Sequence, residues 1–530
     1  MLEMRQDSVR TVLVKAFYRE EPRFVGWLFL GFIFIGILSY MFKSDTLAMA
    51  LEFVLFLAWI VAKLVYYFSA FFGVYDQYHS CVQKDNLIEF VISLLNVTAE
   101  DVENGIIYLK VKNEIVIEKR ENQEYVYLYS FYNTEEEIAF RINRLQKSKN
   151  IKRVSNLNSE LKKVEKSTDI ELSEKQKEAL KLINEKNVTI ITGGPGTGKT
   201  TIIKNIIDIY ENTGKKVVLA APTGRAAKRM TETTGKEAST LHRLLEIGKI
   251  NEDNLYKNTN DYEGAPIDAD IIIVDEVSMV DMFLMNYLLK CIYQGTKLVL
   301  VGDVDQLASV GPGSILKDFI HSNKIPTIHL DKIFRQAAKS KIILNAHRVN
   351  NGEGFLTKQE EGEDTIQDFF FIKESNQEKM ISQIVSLCTG RLEKYGNYDF
   401  FENIQVLSPT KKGMLGTREL NKILQENLNP NLYNLPEKVS MGATFRQGDR
   451  VMQIKNNYDI YWEKDVPGKK EIGSGVFNGE IGTILEIDEK EKQIEIKFDD
   501  EKIAWYDFTD LDQIEHSYAI TIHKAQRKRI

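Results

Sequence analysis

The chain has 530 residues, and its 43% hydrophobic and 27% charged content excludes a disordered polymer; a chain of this length has room for about three or four domains. The 69 Lys+Arg against 76 Asp+Glu leave a formal net charge of −7 and a pI near 5.8, which excludes a globally basic nucleic-acid coat and confines any DNA contact to local patches. Three widely separated cysteines, Cys81, Cys291 and Cys388, exclude a disulfide framework and a metal-spacing motif, and fit a reducing compartment.

A mean hydropathy of −0.27 hides the first element. Residues 24–42, FVGWLFLGFIFIGILSYMF, carry no charge, and 19 helical positions span about 28 Å, close to the hydrocarbon thickness of a bilayer. Residues 47–73 form a second apolar run, weakened by Glu52 and Lys63, which must snorkel or find partners. The pair predicts a transmembrane hairpin. Arg5, Arg10, Lys15, Arg19 and Arg23 precede it, whereas the short loop offers Lys43, so the positive-inside rule predicts a cytoplasmic body anchored to the membrane by residues 24–73.

Residues 75–167 turn polar. Their pattern predicts helix, helix, strand, strand, helix, with LKVKNEIVIEK and EYVYLYS alternating as the two strands of a hairpin would. A winged-helix-like module follows, with packing on a neighbouring domain favoured over DNA contact. The charged stretch 147–167 reads as a linker or a solvated helix.

Residues 188–201 read VTIITGGPGTGKTT. A β-branched strand leads into Gly193, Gly194, Pro195, Gly196, Thr197, Gly198, Lys199 and Thr200, which match G-x-x-x-x-G-K-[ST], and Thr201 continues into an amphipathic helix. The glycines let backbone N–H groups turn inward around phosphates at a helix N-terminus. Lys199 would reach the β- and γ-phosphates of ATP, and the Thr200 hydroxyl would ligate Mg²⁺. A second strand ends in Asp275–Glu276, placing both carboxylates at the C-terminal edge of a parallel sheet, where ligands bind in open α/β folds. Asp275 is the metal candidate and Glu276 the group that polarises the attacking water. A third strand ends in Gly302–Asp303 and Gln306, whose amide can sense a γ-phosphate or its water.

Taken together, LSEKQKEAL (172–180), GGPGTGKTT (193–201), APTGRAAKRM (221–230), STLHRLLE (239–246), VDEVSM (274–279), VGDVDQL (301–307) and IFRQA (333–337) resemble a superfamily 1 DNA helicase of the RecD-like branch. SPTKKGMLGTRELNKILQ (408–425), FRQGDRVMQIKNNYD (445–459), GVFNGEIGTI (475–484) and HSYAITIHKAQ (516–526) continue the likeness, which covers about residues 80–526. The resemblance implies an α/β fold of two RecA-like P-loop NTPase lobes, at 168–345 and 346–530, with an SH3-like β insert at about 460–512. It implies ATP hydrolysis coupled to 5′–3′ movement on single-stranded DNA, loaded directly or from a duplex with a 5′ overhang. Residue by residue, it assigns Gln176 to the adenine base, Arg335 to the γ-phosphate, and Thr223, Arg225, His242, Thr521 and His523 to DNA contact or coupling. The insert after Leu245 occupies the place of a small pin. Trp505, Tyr506 and Phe508, in a segment alternating with period two, are candidates for base stacking, with core packing the expectation for at least two of them.

Two departures from the pattern stand out. The apolar hairpin occupies the place of a helix-hairpin-helix segment, and the sequence after HKAQ ends in Arg527-Lys528-Arg529-Ile530, where the pattern continues to a further arginine that contacts ATP. This predicts a truncated second lobe, with nucleotide binding retained and unwinding by this chain alone impaired. The alternative reading is a truncated, membrane-tethered ATP-binding protein without unwinding activity. A nickase-helicase is disfavoured, because residues 75–167 hold one histidine, His79.

Overall fold

The computed structural model describes residues 80–168, 171–247, 264–309, 311–332, 339–356, 366, 368–466 and 468–528. The predicted membrane hairpin, Arg335, most of the insert after Leu245 and Arg529–Ile530 lie outside them. Among the described residues no helix is long and apolar enough to cross a membrane. The described residues fall into two compact units, one within 80–222 and 241–332, the other within 223–240 and 339–528.

The first unit opens with the module read as winged-helix-like. Strand β1 (Cys81–Gln83) leads to α1 (Lys84–Leu95) and α2 (Ala99–Val111), then to the hairpin β2 (Ile115–Arg120) and β3 (Gln123–Leu128), and to α3 (Tyr129–Gln146). The predicted order holds, with β1 added as a third, antiparallel strand beside β3. Three residues are too few to show a period, which is why the sequence did not reveal it. Helix α2 starts on a reciprocal capping box between Thr98 and Asp101. Leu87, Val91, Val102, Ile106, Leu109, Ile115 and Val126 form the module's own core. The charged stretch that follows is a packed helix, α4 (Leu157–Thr168), rather than a solvated one: Leu161 and Val164 recur at helical spacing and are buried.

Next come α5 (Glu174–Glu185), β4 (Val188–Gly193), α6 (Lys199–Glu211) and β5 (Val217–Ala221). In the second unit, α7 (Gly224–Thr234) and β6 (Ala238–Thr240) follow; the first unit then resumes with β7 (Ile271–Val274), α8 (Met282–Lys290), β8 (Lys297–Gly302), α9 (Ile315–His321) and β9 (Thr327–Leu330). Strands β5-β7-β8-β4-β9 lie side by side, all parallel. Every residue of β7 and β8 is buried, the continuous apolar run of a sheet covered on both faces. The module docks on this lobe through α3: Ile138, Ile142 and Leu145 join the lobe's core, and Glu137 accepts a 2.7 Å hydrogen bond from the buried Asn286 amide.

The second unit continues with α10 (Lys341–Asn350), α11 (Gln377–Ser386), β10 (Val406–Ser408), α12 (Thr417–Leu428) and the hairpin β11 (Glu437–Ser440) and β12 (Ala443–Arg446). An antiparallel sheet then gathers β13 (Arg450–Gln453), β14 (Asn457–Val466), β15 (Lys469–Val476), β16 (Ile481–Asp488), β17 (Gln493–Phe498), β18 (Ile503–Asp507) and β19 (Ile514–His516) in the order β15-β14-β18-β17-β16-β13-β19. It begins ten residues before the boundary read from the sequence, because Arg450–Gln453 is a fully buried central strand without alternation. The chain then forms β20 (Ala519–Thr521), parallel to β10, and α13 (Ile522–Lys528).

Asp449 ties these parts together. Fully buried, it accepts from Gln425 Nε2 at 2.6 Å, the Arg446 amide at 2.7 Å, Asn429 Nδ2 at 2.8 Å and Tyr518 Oη at 2.9 Å, with His516 Nε2 at 3.1 Å. Helix α12, the β12–β13 turn and the approach to β20 therefore share one carboxylate. Of the aromatic trio, Tyr506 lies in the sheet core, donating to Gln453 Oε1 at 2.9 Å, so it cannot stack on a base. Trp505 is on the exposed face, and Phe508 packs under the Lys438 ammonium, 4.0 Å from its ring centre.

Candidate nucleotide site

The parallel sheet places the predicted phosphate residues along one edge. In the register Thr192↔Gly302 and Val274↔Leu300, strands β4, β8 and β7 end together, with β8 in the middle. The phosphate loop and Asp275 are thus two strand spacings apart, about 10 Å, which leaves room for a triphosphate between them.

The loop itself is closed by local chemistry. Gly198, with φ 84°, caps α6 in the left-handed region that glycine alone enters without penalty. At Gly193 a Cβ would lie 2.6 Å from the Leu330 carbonyl oxygen and 2.8 Å from Thr197 Oγ1, so no larger residue fits. Thr197 is buried and donates to the Gly194 carbonyl at 2.8 Å. Lys199 folds its ammonium back over the loop, donating to the carbonyls of Gly193 and, at 3.0 Å, Gly194. Gly194, Pro195, Thr200 and Thr201 are partly exposed around the same turn.

Across the edge, Glu276 has φ 55°, a left-handed conformation that costs a glutamate about 1 kcal/mol or more and here caps the turn Val277–Met279. Its amide donates to Asp275 Oδ1 at 2.8 Å. After β8, the buried Asp303 organises the next loop: its carboxylate receives Gln306 Nε2 at 3.2 Å and the Asp305 amide at 3.1 Å. Thr192 Oγ1 accepts from the Val304 amide at 3.2 Å, joining this loop to the end of β4. Gln306 is therefore oriented before any ligand arrives.

Gln176 is the third residue of α5 and closes its capping box: Oε1 accepts from the Ser173 amide at 2.9 Å, and Ser173 Oγ accepts from the Gln176 amide at 3.3 Å. Its Nε2 is buried without a hydrogen-bond partner. Such an orphaned donor costs about 1–3 kcal/mol, and an acceptor on a ligand would satisfy it. The folded-back Lys199, the Gly193 cradle and this donor all fit a purine nucleotide.

One contributor was not singled out from the sequence. Lys297, the first residue of β8, is fully buried and donates to the carbonyls of Ile183 at 2.8 Å, Asn184 at 3.1 Å and Lys186 at 2.8 Å. These are the unsatisfied carbonyls at the C-terminus of the Gln176 helix. A charged residue opening the otherwise apolar KLVLVG run was the available signal.

Other predicted positions are scattered. Half-buried His242 is on the one-turn helix Leu241–Leu244 of the first unit. In the second unit, Thr223 caps α7, accepting from the Ala226 amide at 3.3 Å, and Arg225 is exposed on that helix beside Lys228 and Arg229, one helical turn away. Thr521 ends β20 and accepts from the Lys524 amide at 3.3 Å, with His523 exposed on α13.

Comparison with known proteins decides the family. The AAA domain family matches residues 171–368, and the family "ATP-dependent RecD-like DNA helicase SH3 domain" matches residues 420–498. The chain belongs with the RecD-like helicases. It is 34% identical over 355 residues to the ATP-dependent RecD2 DNA helicase of Deinococcus radiodurans, covering 67% of this chain and 44% of that one. It is 29% identical over 412 residues to the RecBCD enzyme subunit RecD of Buchnera aphidicola subsp. Acyrthosiphon pisum, covering 66% and 64% respectively. This RecD-like chain thus spans less than two thirds of the length of either relative. Among solved structures, the Pif1 helicase from Candida albicans aligns over 68% of this chain and 86% of its own, with 18% identity and a TM-score of 0.32.

Proposed function

We propose that the chain is an ATP-dependent DNA translocase of the helicase type, moving 5′–3′ on single-stranded DNA. The observation that carries this reading is the nucleotide site: phosphate loop, acidic pair and pre-oriented Gln306 on one sheet edge, in a chain with a RecD-like SH3 segment. In this reading Lys199 leaves the Gly193 and Gly194 carbonyls for the β- and γ-phosphates, and the loop amides take the phosphate oxygens. Thr200 and Asp275 would hold Mg²⁺, which when bound neutralises charge on the phosphates. Glu276 takes the proton of the attacking water, and Gln306 orients that water from its Asp303 tether.

Arg335 would stabilise the transferred charge. Thr223, Arg225, His242, Thr521 and His523 are the proposed DNA and coupling positions, with single-stranded DNA or a duplex carrying a 5′ overhang as the partner. Opening and closing of the nucleotide site would alternate the grip on the strand. The charge-free run at 24–42 and its successor support a membrane tether on sequence grounds alone.

The test is strand separation of labelled duplexes with either a 5′ or a 3′ single-stranded tail. ATP-dependent separation of the 5′-tailed duplex is expected. Preferential separation of the 3′-tailed duplex, or ATP hydrolysis that responds to neither single-stranded tail, would contradict the motor reading.

A further inference from the structure

We infer that the outward end of α2 in the N-terminal module lies in the headgroup interface of a lipid bilayer, inserting Ile107, Tyr108 and Val111 with Tyr129 beside them. The inference rests on the reading of residues 24–42 and 47–73 as a membrane hairpin, and adds to it a second, peripheral contact made by the folded module. Helix α2 is apolar on two sides. Val102, Ile106 and Leu109 enter the module's core. Ile107 and Val111, one turn apart, are instead 58% and 75% exposed, with Tyr108 next to them. The parallel-sheet lobe packs on α3, through Phe131 against Phe283 and through Ile138, Ile142 and Leu145. No described residue buries the outward side of α2.

The register places this patch where the chain arrives from the apolar runs. Cys81, which opens β1, and Val116, near the start of β2, both pair with Tyr127 of β3. They are therefore two strand spacings apart, about 10 Å, at one end of the three-stranded sheet. Helix α2 turns into β2 at that end, where the Glu114 amide donates to the Leu109 carbonyl at 3.0 Å. Tyr129 opens α3 there, its amide donating to the Glu114 carbonyl at 2.9 Å, and it too is exposed. Residues 74–79 separate the second apolar run from the first described residue. Six residues reach at most about 20 Å. A chain that leaves the bilayer near residue 73 therefore holds this end of the module close to the membrane surface.

The side chains select the interface over a polyanion. Tyr108 and Tyr129 each join an apolar ring to a hydroxyl, the composition that concentrates at the water–lipid boundary. Lys110 and Lys112 flank Val111, and the Lys112 ammonium lies 5.7 Å from the centre of the Tyr108 ring. Long lysine stems keep their charge in water while their apolar neighbours are immersed. Glu103, one turn before Ile107, and Glu114 balance these two lysines, so the patch carries no excess positive charge to hold a nucleic-acid backbone. Binding would come from apolar surface leaving water, and a bilayer of phosphatidylcholine, without net charge, suffices.

The experiment reconstitutes the full chain into phosphatidylcholine vesicles that contain a doxyl-labelled lipid as quencher. A polarity-sensitive fluorophore is attached at Val111→Cys or, as a control, at Asn122→Cys in the exposed turn at the far end of the same sheet. Both are made on Cys81→Ser, which leaves the buried Cys291 and Cys388 as the other thiols. The probe at 111 is expected to shift to shorter wavelength and to be quenched several-fold more strongly than the probe at 122. Ile107→Glu/Tyr108→Glu should return the probe at 111 to the level of the control. Equal, weak quenching at both positions, in protein that resists extraction by alkaline carbonate, would overturn the contact and leave the hairpin reading standing. A shifted probe at 111 that lipid does not quench would show that protein covers the patch, and would also overturn it. Release of the full chain by carbonate would overturn the hairpin reading and this inference together.

Discussion

Replacing Lys297 by methionine keeps the length of the side chain and removes three hydrogen bonds from the C-terminus of the Gln176 helix. Hydrogen bonds from a charged donor contribute about 1.5–3 kcal/mol each, and each buried carbonyl left without a donor costs about 1–3 kcal/mol. The desolvation cost of the buried ammonium is recovered in the variant, so the net loss should be about 3 kcal/mol, within the range for breaking a buried charged contact. A lobe stabilised by roughly 5–15 kcal/mol would feel this strongly. Burial, then the charge of Arg153, pulls the Lys297 pKa from 10.5 down to about 7. Between those values the unfolded chain holds one more proton than the folded chain, so stability should rise with pH from about 7 to 10 in wild type. That rise should disappear in Lys297→Met. Urea unfolding of both proteins across this pH range, followed by circular dichroism, measures both effects. A midpoint shift equivalent to less than about 0.5 kcal/mol, or an identical pH slope in the two proteins, would refute the reasoning.

Glu276→Gln should keep nucleotide affinity within a few-fold while lowering the hydrolysis rate by about 10²–10⁴, because it removes the proposed proton acceptor and leaves the phosphate loop intact; a fluorescent ATP analogue and a phosphate-release assay separate the two. Asp449→Ala should destabilise the second unit by about 3 kcal/mol or more, since it strips the buried acceptor from Gln425, Asn429, Tyr518 and the Arg446 amide. Limited proteolysis should then cut the second unit earlier than in wild type. Equal protection would show that the hub is dispensable.

What the sequence made legible was local. The phosphate loop, the acidic pair after Val274 and the position of Gln306 after the third strand are each specified within a few residues, and spacing alone placed them on strands, turns and helices; the tether of Gln306 to Asp303 came from the structure. The hairpin of the N-terminal module was readable because its two strands alternate over six residues each. Lys297 and Asp449 were not readable in role. Their partners come from sequence separations of up to 114 and 69 residues, and only the folded sheet brings a helix end to Lys297 or Tyr518 to Asp449. The helical phase of Leu161 and Val164 was present in the charged stretch, but the surrounding lysines and glutamates masked it. The membrane hairpin and Arg335 belong to residues the structure does not describe, and stay with the sequence argument.

The most direct test of the account is steady-state ATP hydrolysis by the full chain, measured with and without single-stranded DNA, for wild type and Lys199→Ala. Removing the phosphate-loop cation proposed to reach the β- and γ-phosphates should abolish turnover, and DNA should raise the wild-type rate several-fold or more. A wild-type rate indifferent to DNA, or one that survives loss of Lys199, would contradict the assignment of a DNA-driven motor to this site.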